Sequence, residues 1–559
     1  MGWPSLVIWD SSRKEKEMAE KSYDVIIIGA GPNGLATGAY LSKAGLRVLL
    51  LERRHEVGGG LATEEVTLPA FLHNTHAVYM MMADYAPVYP DFKLEDYNVS
   101  HIYPPLQFVL PLSDGRCLCL YSDVEKTCDS IAQFSKPDAE SYRELYHQCV
   151  RYVDGFIAGA TYAPAVPILD QIVKLQQTDL GREMIELSEK SPKDFVDEHF
   201  ENEHVKAMML YLATHWLGSY DQSGMGYLAL LYLNRASDYR LVKGGSHLVA
   251  QALHKIIFEN RGVVLNTQRI TRIIVEDGMA KGVEREDGAI FEASKAVIST
   301  LDPHQTFLKL VGEKNLDKDF VEQIKDWQWE KYTLMGLHLA LDEAPDFTAA
   351  AKNPEVNKAL VYILGYEDPQ ELIEDYEAIY RGELRDRACF NCCFPSVHDP
   401  SQAPAGRHTG LLSRFAPYGL KNGGASKWYD LKFKEEVAEQ YLTTLQKYAP
   451  NINKDTILWK YISTPIDVEN KLLSMVEGSY KHGLYHPLQM GIFRPNEPCS
   501  RNRTPVKNLY VAGSSCYPGG CVIWGAGYNA ANAVAEDFGI EKWWPEPEAV
   551  TKAREGGLL

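Results

Sequence analysis

Between residues 23 and 60 the chain reads YDVIIIGAGPNGLATGAYLSKAGLRVLLLERRHEVGGG, and few folds can accommodate this stretch. Residues 25–28 are a continuous apolar run, as in a strand buried on both faces of a parallel sheet. Gly29 permits a tight turn, Gly31 lets backbone approach a pyrophosphate, and Gly34 lets the next helix pack on the strand. Pro32, Asn33 and Gly34 open that helix, so its N–H groups and dipole face the phosphates. Ala36, Ala39, Tyr40 and Leu41 give it an apolar face, and Gly45 suits its end. A second strand over residues 47–51 delivers Glu52, eighteen residues after Gly34. A carboxylate there accepts hydrogen bonds from ribose hydroxyls and disfavours a 2′-phosphate. Strand, turn, helix and acid together predict a Rossmann-like dinucleotide-binding unit.

Gly58, Gly59 and Gly60 follow the ribose acid, where a second backbone approach to the pyrophosphate is needed. Almost five hundred residues after the first motif, residues 504–533 read TPVKNLYVAGSSCYPGGCVIWGAGYNAANA. This predicts a buried strand over 508–512 ended by Gly513, a rigid turn at Pro518, Gly519 and Gly520, and a small-residue helix over 527–535. Residues 52–65, ERRHEVGGGLATEE, resemble the second signature of the amine oxidase and phytoene desaturase superfamily of FAD enzymes. Thr63, Glu64 and Glu65 complete a GG-x-x-x-TEE pattern similar to the branch typified by pyridine nucleotide-disulphide oxidoreductase domain-containing protein 2. Many members carry Arg after the glycine pair. Gly60 stands there instead and shifts phosphate binding to backbone, Arg53 or Arg54.

The resemblance implies FAD as cofactor and an α/β fold class, a Rossmann-like FAD-binding domain of the GR2 type with an inserted mixed α+β substrate domain. It implies cofactor contacts from Gly29, Gly31, Pro32, Asn33, Gly34, Glu52, Arg53, Gly58, Gly59, Gly60, Leu61, Thr63 and Val264. Gly513, Gly520, Cys521, Val522 and Trp524 join them from the terminal motif. In the family that strand, turn and helix N-terminus lie against the flavin's pyrimidine end, where a helix dipole stabilises negative charge on the reduced ring. The chain departs from the family's PGGGV-x-G form at Cys521, and it carries Tyr517 where the branch often has His. Cys521 is read either as a small residue shaping the site or as the point of a covalent thioether to the flavin.

A chain of 559 residues exceeds one compact core and predicts several domains. The expected division places the FAD-binding domain at 23–102, 241–304 and 479–545, and the substrate domain at 103–240 and 305–478. A flexible tail is expected over 1–22 and a C-terminal tail over 546–559. The first tail carries Gly2, without the Ser or Thr that myristoylation wants at position 6, and Met18, an alternative start. Neither a signal peptide nor a transit peptide is legible in it. A formal charge of −18 argues against nucleic acid and against electrostatic attachment to anionic lipid. No apolar run reaches the roughly 18–20 residues that span a bilayer, so a cytoplasmic protein is expected, with peripheral membrane contact left open. The ten cysteines make no disulphide framework. Cys389, Cys392 and Cys393 lack a second pair or a His pair at zinc spacing and are read as core thiols, with no metal expected. There is no cysteine pair just after the first glycine motif and no second complete GxGxxG, which argues against a pyridine-nucleotide-driven reductase.

In the middle of the chain, strands are expected around the turn Ser113-Asp114-Gly115, then a largely helical stretch over 124–233. The segments 204–216 and 226–233 are rich in Met, Leu and Tyr. They read as helices buried on most sides or as the wall of an oily cavity. Catalysis on a flavin asks the protein to position the scissile C–H and exclude competing chemistry. A general base is needed only if the substrate also loses a proton. His76 is the first acid/base candidate, followed by Tyr517; His73 and His215 fit structural roles as well. The expected function is hydride transfer to FAD from a small lipophilic substrate, with isoprenoids and terpenoids in view. Dioxygen, a quinone or a carrier protein would reoxidise the flavin. A flavin amine oxidase and an FAD-binding isomerase or interaction protein are the alternatives.

Overall fold

The apolar run at residues 25–28 becomes the strand Tyr23–Ile28, paired in parallel with Val48–Leu51 on one side and Ile290–Ser299 on the other. In the computed structural model, which describes residues 22–559, these strands centre a seven-stranded sheet. Val263–Leu265 extends it beyond Val48–Leu51, and Leu509–Val511 lies parallel beside Ile290–Ser299. The antiparallel pair Met279–Arg285 and Ile270–Glu276 completes it. Three stretches far apart in sequence thus build one sheet, because a parallel strand can be hydrogen-bonded only after a crossover. Burial on both faces explains its uninterrupted apolar sequence: Val25, Ile26 and Ile27 are wholly inaccessible. The helices Pro32–Lys43, His247–Glu259 and Gly525–Asp537 cover one face, and Phe307, Leu310 and Phe320 cover the other.

A second seven-stranded sheet runs in the order Ile457–Ser463, Tyr332–Leu341, His408–Pro417, Phe390–Cys393, Val361–Leu364, Leu106–Pro111, Cys117–Tyr121. Its pairs are antiparallel except Val361–Leu364 on Leu106–Pro111. Alternation along its strands sends Leu337, Leu339 and Leu412 against the helix Leu431–Tyr448 and turns Leu334, Gly336 and Leu411 the other way. The segment 396–409 ties the two sheets' connections together: Asp399 Oδ2 accepts from Gly244 N at 2.6 Å, and Gln402 Oε1 accepts from Asn74 Nδ2 at 3.0 Å.

The helices Glu203–His215 and Gly226–Arg235 are core, with Met208, Met209, Leu212 and Leu230 buried; only His215 and Trp216 reach a cavity. The C-terminal tail, residues 546–559, docks onto the fold. It includes the helix Glu548–Glu555, docked through Val550 and Ala553, and Leu558 O accepts from Gln171 Nε2. The N-terminal tail, with Gly2 and Met18, lies outside the described residues except for Ser22. Among the described residues no helix is long and apolar enough to cross a membrane, and no His, Cys and carboxylate cluster could hold a metal ion.

Candidate functional site

A cavity of about 550 Å³ runs from the first glycine turn to the inner face of the second sheet. At its first end the three glycines have distinct duties. Gly29 sits at φ +95°, and a Cβ on it would come within 2.3 Å of Thr300 Oγ1. A Cβ on Gly34 would meet Gly29 O at 2.1 Å, so that glycine lets the helix seat on the strand. A Cβ on Gly31 meets nothing within 4 Å and points into the cavity. It is a cradle of the kind a pyrophosphate fills, at the N-terminus of a twelve-residue helix.

The two end motifs converge here. Asn33 Oδ1 accepts from Gly527 N, and Thr37 Oγ1 donates to Gly527 O at 2.9 Å. Glu52 is held by Ala30 N and Arg54 N, each donating at 2.8 Å to a different carboxylate oxygen. An ionised carboxylate has about four acceptor positions, so ribose hydroxyls can take the others. Pro32, Asn33, Arg53, Gly59 and Gly60 line the cavity beside it, as do Gly513, Cys521 and Val522 from the terminal motif.

Several residues assigned from the sequence stand off this wall. Gly58, at φ +113°, supports the turn from behind, its N–H donating to Ala30 O. Leu61 is fully buried core. Thr63 Oγ1 donates to Asn74 Oδ1 and accepts from His247 N, which removes it from the cavity. Val264 is paired with Leu50 within the sheet, and the wall near it is made by Gln268, Arg269 and Thr271. Gly520 N donates to Tyr485 Oη, and Trp524, 1% exposed, packs into the core of the first sheet. Tyr517 is not among the cavity's lining residues, and its hydroxyl donates to Ala160 O at 2.6 Å.

His76 does line the cavity, and its Nε2 is buried without a partner among the described residues. Burial, assisted by the nearby Lys471 cation, pushes its pKa down to about 3. Such an imidazole stays neutral at pH 7 and serves as a hydrogen-bonding group; as a proton store it is poor. His73 bonds to Thr67 Oγ1 and lies off the main cavity, its ring edge-on to His338 at 5.4 Å. Cys521 faces the cavity, and burial pushes its thiol up to about 11, so at neutral pH it is not a thiolate.

The cavity also holds residues that sequence inspection missed. Lys471 pairs with Glu64 and donates to Thr75 Oγ1, clamping residues some four hundred positions apart. Burial raises the Glu64 carboxyl, but Lys471 and Thr75 outweigh it and bring it down to about 2. His338, Ser413, Ser463 and Asn391 line the wall from four neighbouring strands, with Tyr79, Trp216 and Tyr480 alongside. Trp216 and Tyr480 stand edge to face at 6.0 Å. The one available signal was in YTLMGLHLAL, where Gly336 and His338 interrupt an apolar strand on the same face.

A model of a NAD(P)-binding Rossmann-like domain matches residues 27–93. The chain is 36% identical to a limonene dehydrogenase subunit from Castellaniella defragrans, covering 96% of this chain and 99% of that one. The chain belongs to the phytoene desaturase and flavin amine oxidase superfamily of FAD-dependent oxidoreductases. Within that superfamily it is 29% identical to pyridine nucleotide-disulfide oxidoreductase domain-containing protein 2 of Rattus norvegicus, over 92% and 94% of the two chains. Its fold resembles cyclohexylamine oxidase from Brevibacterium oxydans, with a TM-score of 0.57 and 15% identity over 93% and 100% of the chains. The open Gly31 cradle and the Glu52 carboxylate fit the family's cofactor, FAD.

Proposed function

We propose that this protein dehydrogenates a lipophilic terpenoid. The observation that carries the reading is the continuity of one cavity from the dinucleotide cradle to a wall of Met81, Trp216, Leu334 and Leu411. The named activity of the Castellaniella relative points the same way. A cavity of this size that also receives a dinucleotide suits a compact terpenoid better than a long polyene lying full length.

FAD, when bound, supplies the acceptor for the two hydrogens removed from substrate carbon. The chain's own groups bind and shield. Gly31, Asn33 and the helix N-terminus behind them hold the pyrophosphate, and Glu52 holds ribose. Arg53 reaches the same end, its Nη2 donating to Lys471 O. His76 and His338 present neutral imidazoles, which orient a substrate without adding charge. The apolar wall orients the substrate's C–H and excludes water.

A flavin amine oxidase is the second reading, favoured by the Tyr79, Trp216 and Tyr480 rings at the far end. Against it, Glu52 is the one carboxylate among the cavity's lining residues and lies at the dinucleotide end, so an ammonium there finds no counter-charge. The test is anaerobic bleaching of the flavin by monoterpenes and by primary amines. Bleaching by terpenes alone supports the proposal. Bleaching by amines alone overturns it, and bleaching by neither supports an isomerase or interaction role. Readmitting air or a quinone to the bleached enzyme identifies the acceptor.

A further inference from the structure

The wall opposite the dinucleotide cradle is one face of the second sheet, and its register brings four residues into one line. Gly336 pairs with Ser463 on one side and with Ser413 on the other, and Ser413 pairs with Asn391. All four line the cavity. At about 4.8 Å between strands, they form a row across four strands in which the polar side chains of Ser463, Ser413 and Asn391 lie beside the apolar Leu334 and Leu411.

The hydrogen-bonding capacity of this row is unspent. Neither the Ser413 nor the Ser463 hydroxyl has a partner among the described residues. Asn391 Nδ2 donates to Tyr211 Oη at 2.6 Å, and Tyr211 Oη lies 3.1 Å from His215 Nδ1. That chain turns the amide N–H toward Tyr211 and leaves Oδ1 as a free acceptor. Gly336 places no side chain between the two serines, and the position a Cβ would take is flanked by Leu411 Cδ1 at 3.3 Å and His338 Nε2 at 3.4 Å. Two residues along the same strand, His338 Nδ1 is buried without a partner among the described residues.

A pure hydrocarbon over this row would strip water from these groups and give nothing back, leaving each unsatisfied. A carbonyl could only accept, whereas each serine hydroxyl both donates and accepts. An alcohol can accept from one serine and donate to the other. The row carries no charge, and Lys471 is committed to Glu64, so neither a carboxylate nor an ammonium is matched here. We propose that Ser463 and Ser413, on either side of Gly336, form a hydroxyl-anchoring site, and that the preferred substrate is a terpenoid alcohol. Its O–H lies over Gly336, and its apolar body lies against Trp216, Leu334 and Leu411. This deepens, and rests on, the reading of the cavity as a terpenoid site.

The test compares geraniol with its deoxy hydrocarbon on the FAD-loaded enzyme, with binding followed by tryptophan fluorescence. The wild type is expected to bind the alcohol at least about tenfold more tightly, the equivalent of one net hydrogen bond. Ser413→Ala/Ser463→Ala is expected to bring the ratio close to one by weakening the alcohol alone. The single variants Ser413→Ala and Ser463→Ala, each losing part of the ratio, serve if the double variant does not fold. Equal binding of the two compounds, binding of neither, or equal weakening of both overturns the proposal. Flavin bleaching recorded in the same samples separates it from the broader reading. Bleaching without alcohol preference removes the anchor alone. A serine-dependent preference without bleaching keeps the anchor and counts against dehydrogenation.

Discussion

Gly31 and Gly34 stand three residues apart in one motif, and replacing each by alanine should have opposite consequences. At Gly34 the new Cβ would begin 2.1 Å from Gly29 O, whereas real Cβ atoms keep at least about 3.0 Å. Helix and strand must therefore separate by about 0.9 Å (3.0 less 2.1), a distortion that costs roughly 1–3 kcal/mol. In a chain of this size that lowers Tm by roughly 1–3 °C. Gly31 has φ −72° and ψ −178°, which alanine adopts freely, and its Cβ would meet nothing. Gly31→Ala should leave the FAD-stripped protein as stable as the wild type, or more so by about 0.4–1 kcal/mol through the unfolded chain. Its methyl does, however, occupy the cradle. Losing one charge-assisted hydrogen bond to the pyrophosphate, worth about 1.5–3 kcal/mol, weakens FAD roughly 10- to 150-fold. Melting curves of the stripped proteins and FAD titrations by flavin fluorescence measure the two effects separately. If Gly31→Ala melts as early as Gly34→Ala, or binds FAD as the wild type does, the duties assigned to the turn are wrong.

The buried histidines set a pH profile. Burial holds His76 and His215 at about 3 and His73 at about 4, so below about pH 6.5 the unfolded chain takes up protons that the folded chain refuses. Stability is therefore full above that pH and falls toward pH 4, by up to about 1.4 kcal/mol per pH unit for each group; a Tm that stays level from pH 7 to 4.5 would contradict this, and His76→Asn should flatten the slope. Lys471→Met leaves Glu64 half-buried without its cation and should lower Tm, with Lys471→Met/Glu64→Gln recovering part of the loss; a double variant no better than the single would show that the pair does not act as a unit. Acid precipitation should release the flavin into the supernatant, because the Cys521 thiol stays protonated, and Cys521→Ser should keep its colour; colour held in the wild-type pellet means a thioether. Tyr517→Phe should cost about 1 kcal/mol of stability and leave the flavin spectrum unchanged, since its hydroxyl serves Ala160 O.

Readings that rest on local geometry were legible in the sequence. The run at 25–28, the three glycines, the Pro32 helix start and the acid at Glu52 specify strand, turn, helix and ribose contact within thirty residues. Each depends on φ/ψ limits or side-chain chemistry that a single segment carries. The terminal motif was readable for the same reason, and the family resemblance joined the two ends. Residues such as Val264, Thr63, Tyr517 and Trp524 lie close to the site in sequence, but which way each points depends on a partner strand or carbonyl elsewhere.

The sequence by itself determined that a dinucleotide cradle exists and where its backbone must bend, because glycine spacing and apolar runs act over a few residues. The tertiary structure alone decided what faces that cradle. Ser463, Gly336, Ser413 and Asn391 share a row only through the register of antiparallel strands, and Lys471 meets Glu64 only after the whole chain has closed. A shift of one residue in any of those strands would turn its side chain to the opposite face. That choice is made by packing of the leucine face against the helix Leu431–Tyr448, an interaction between segments that no local pattern contains.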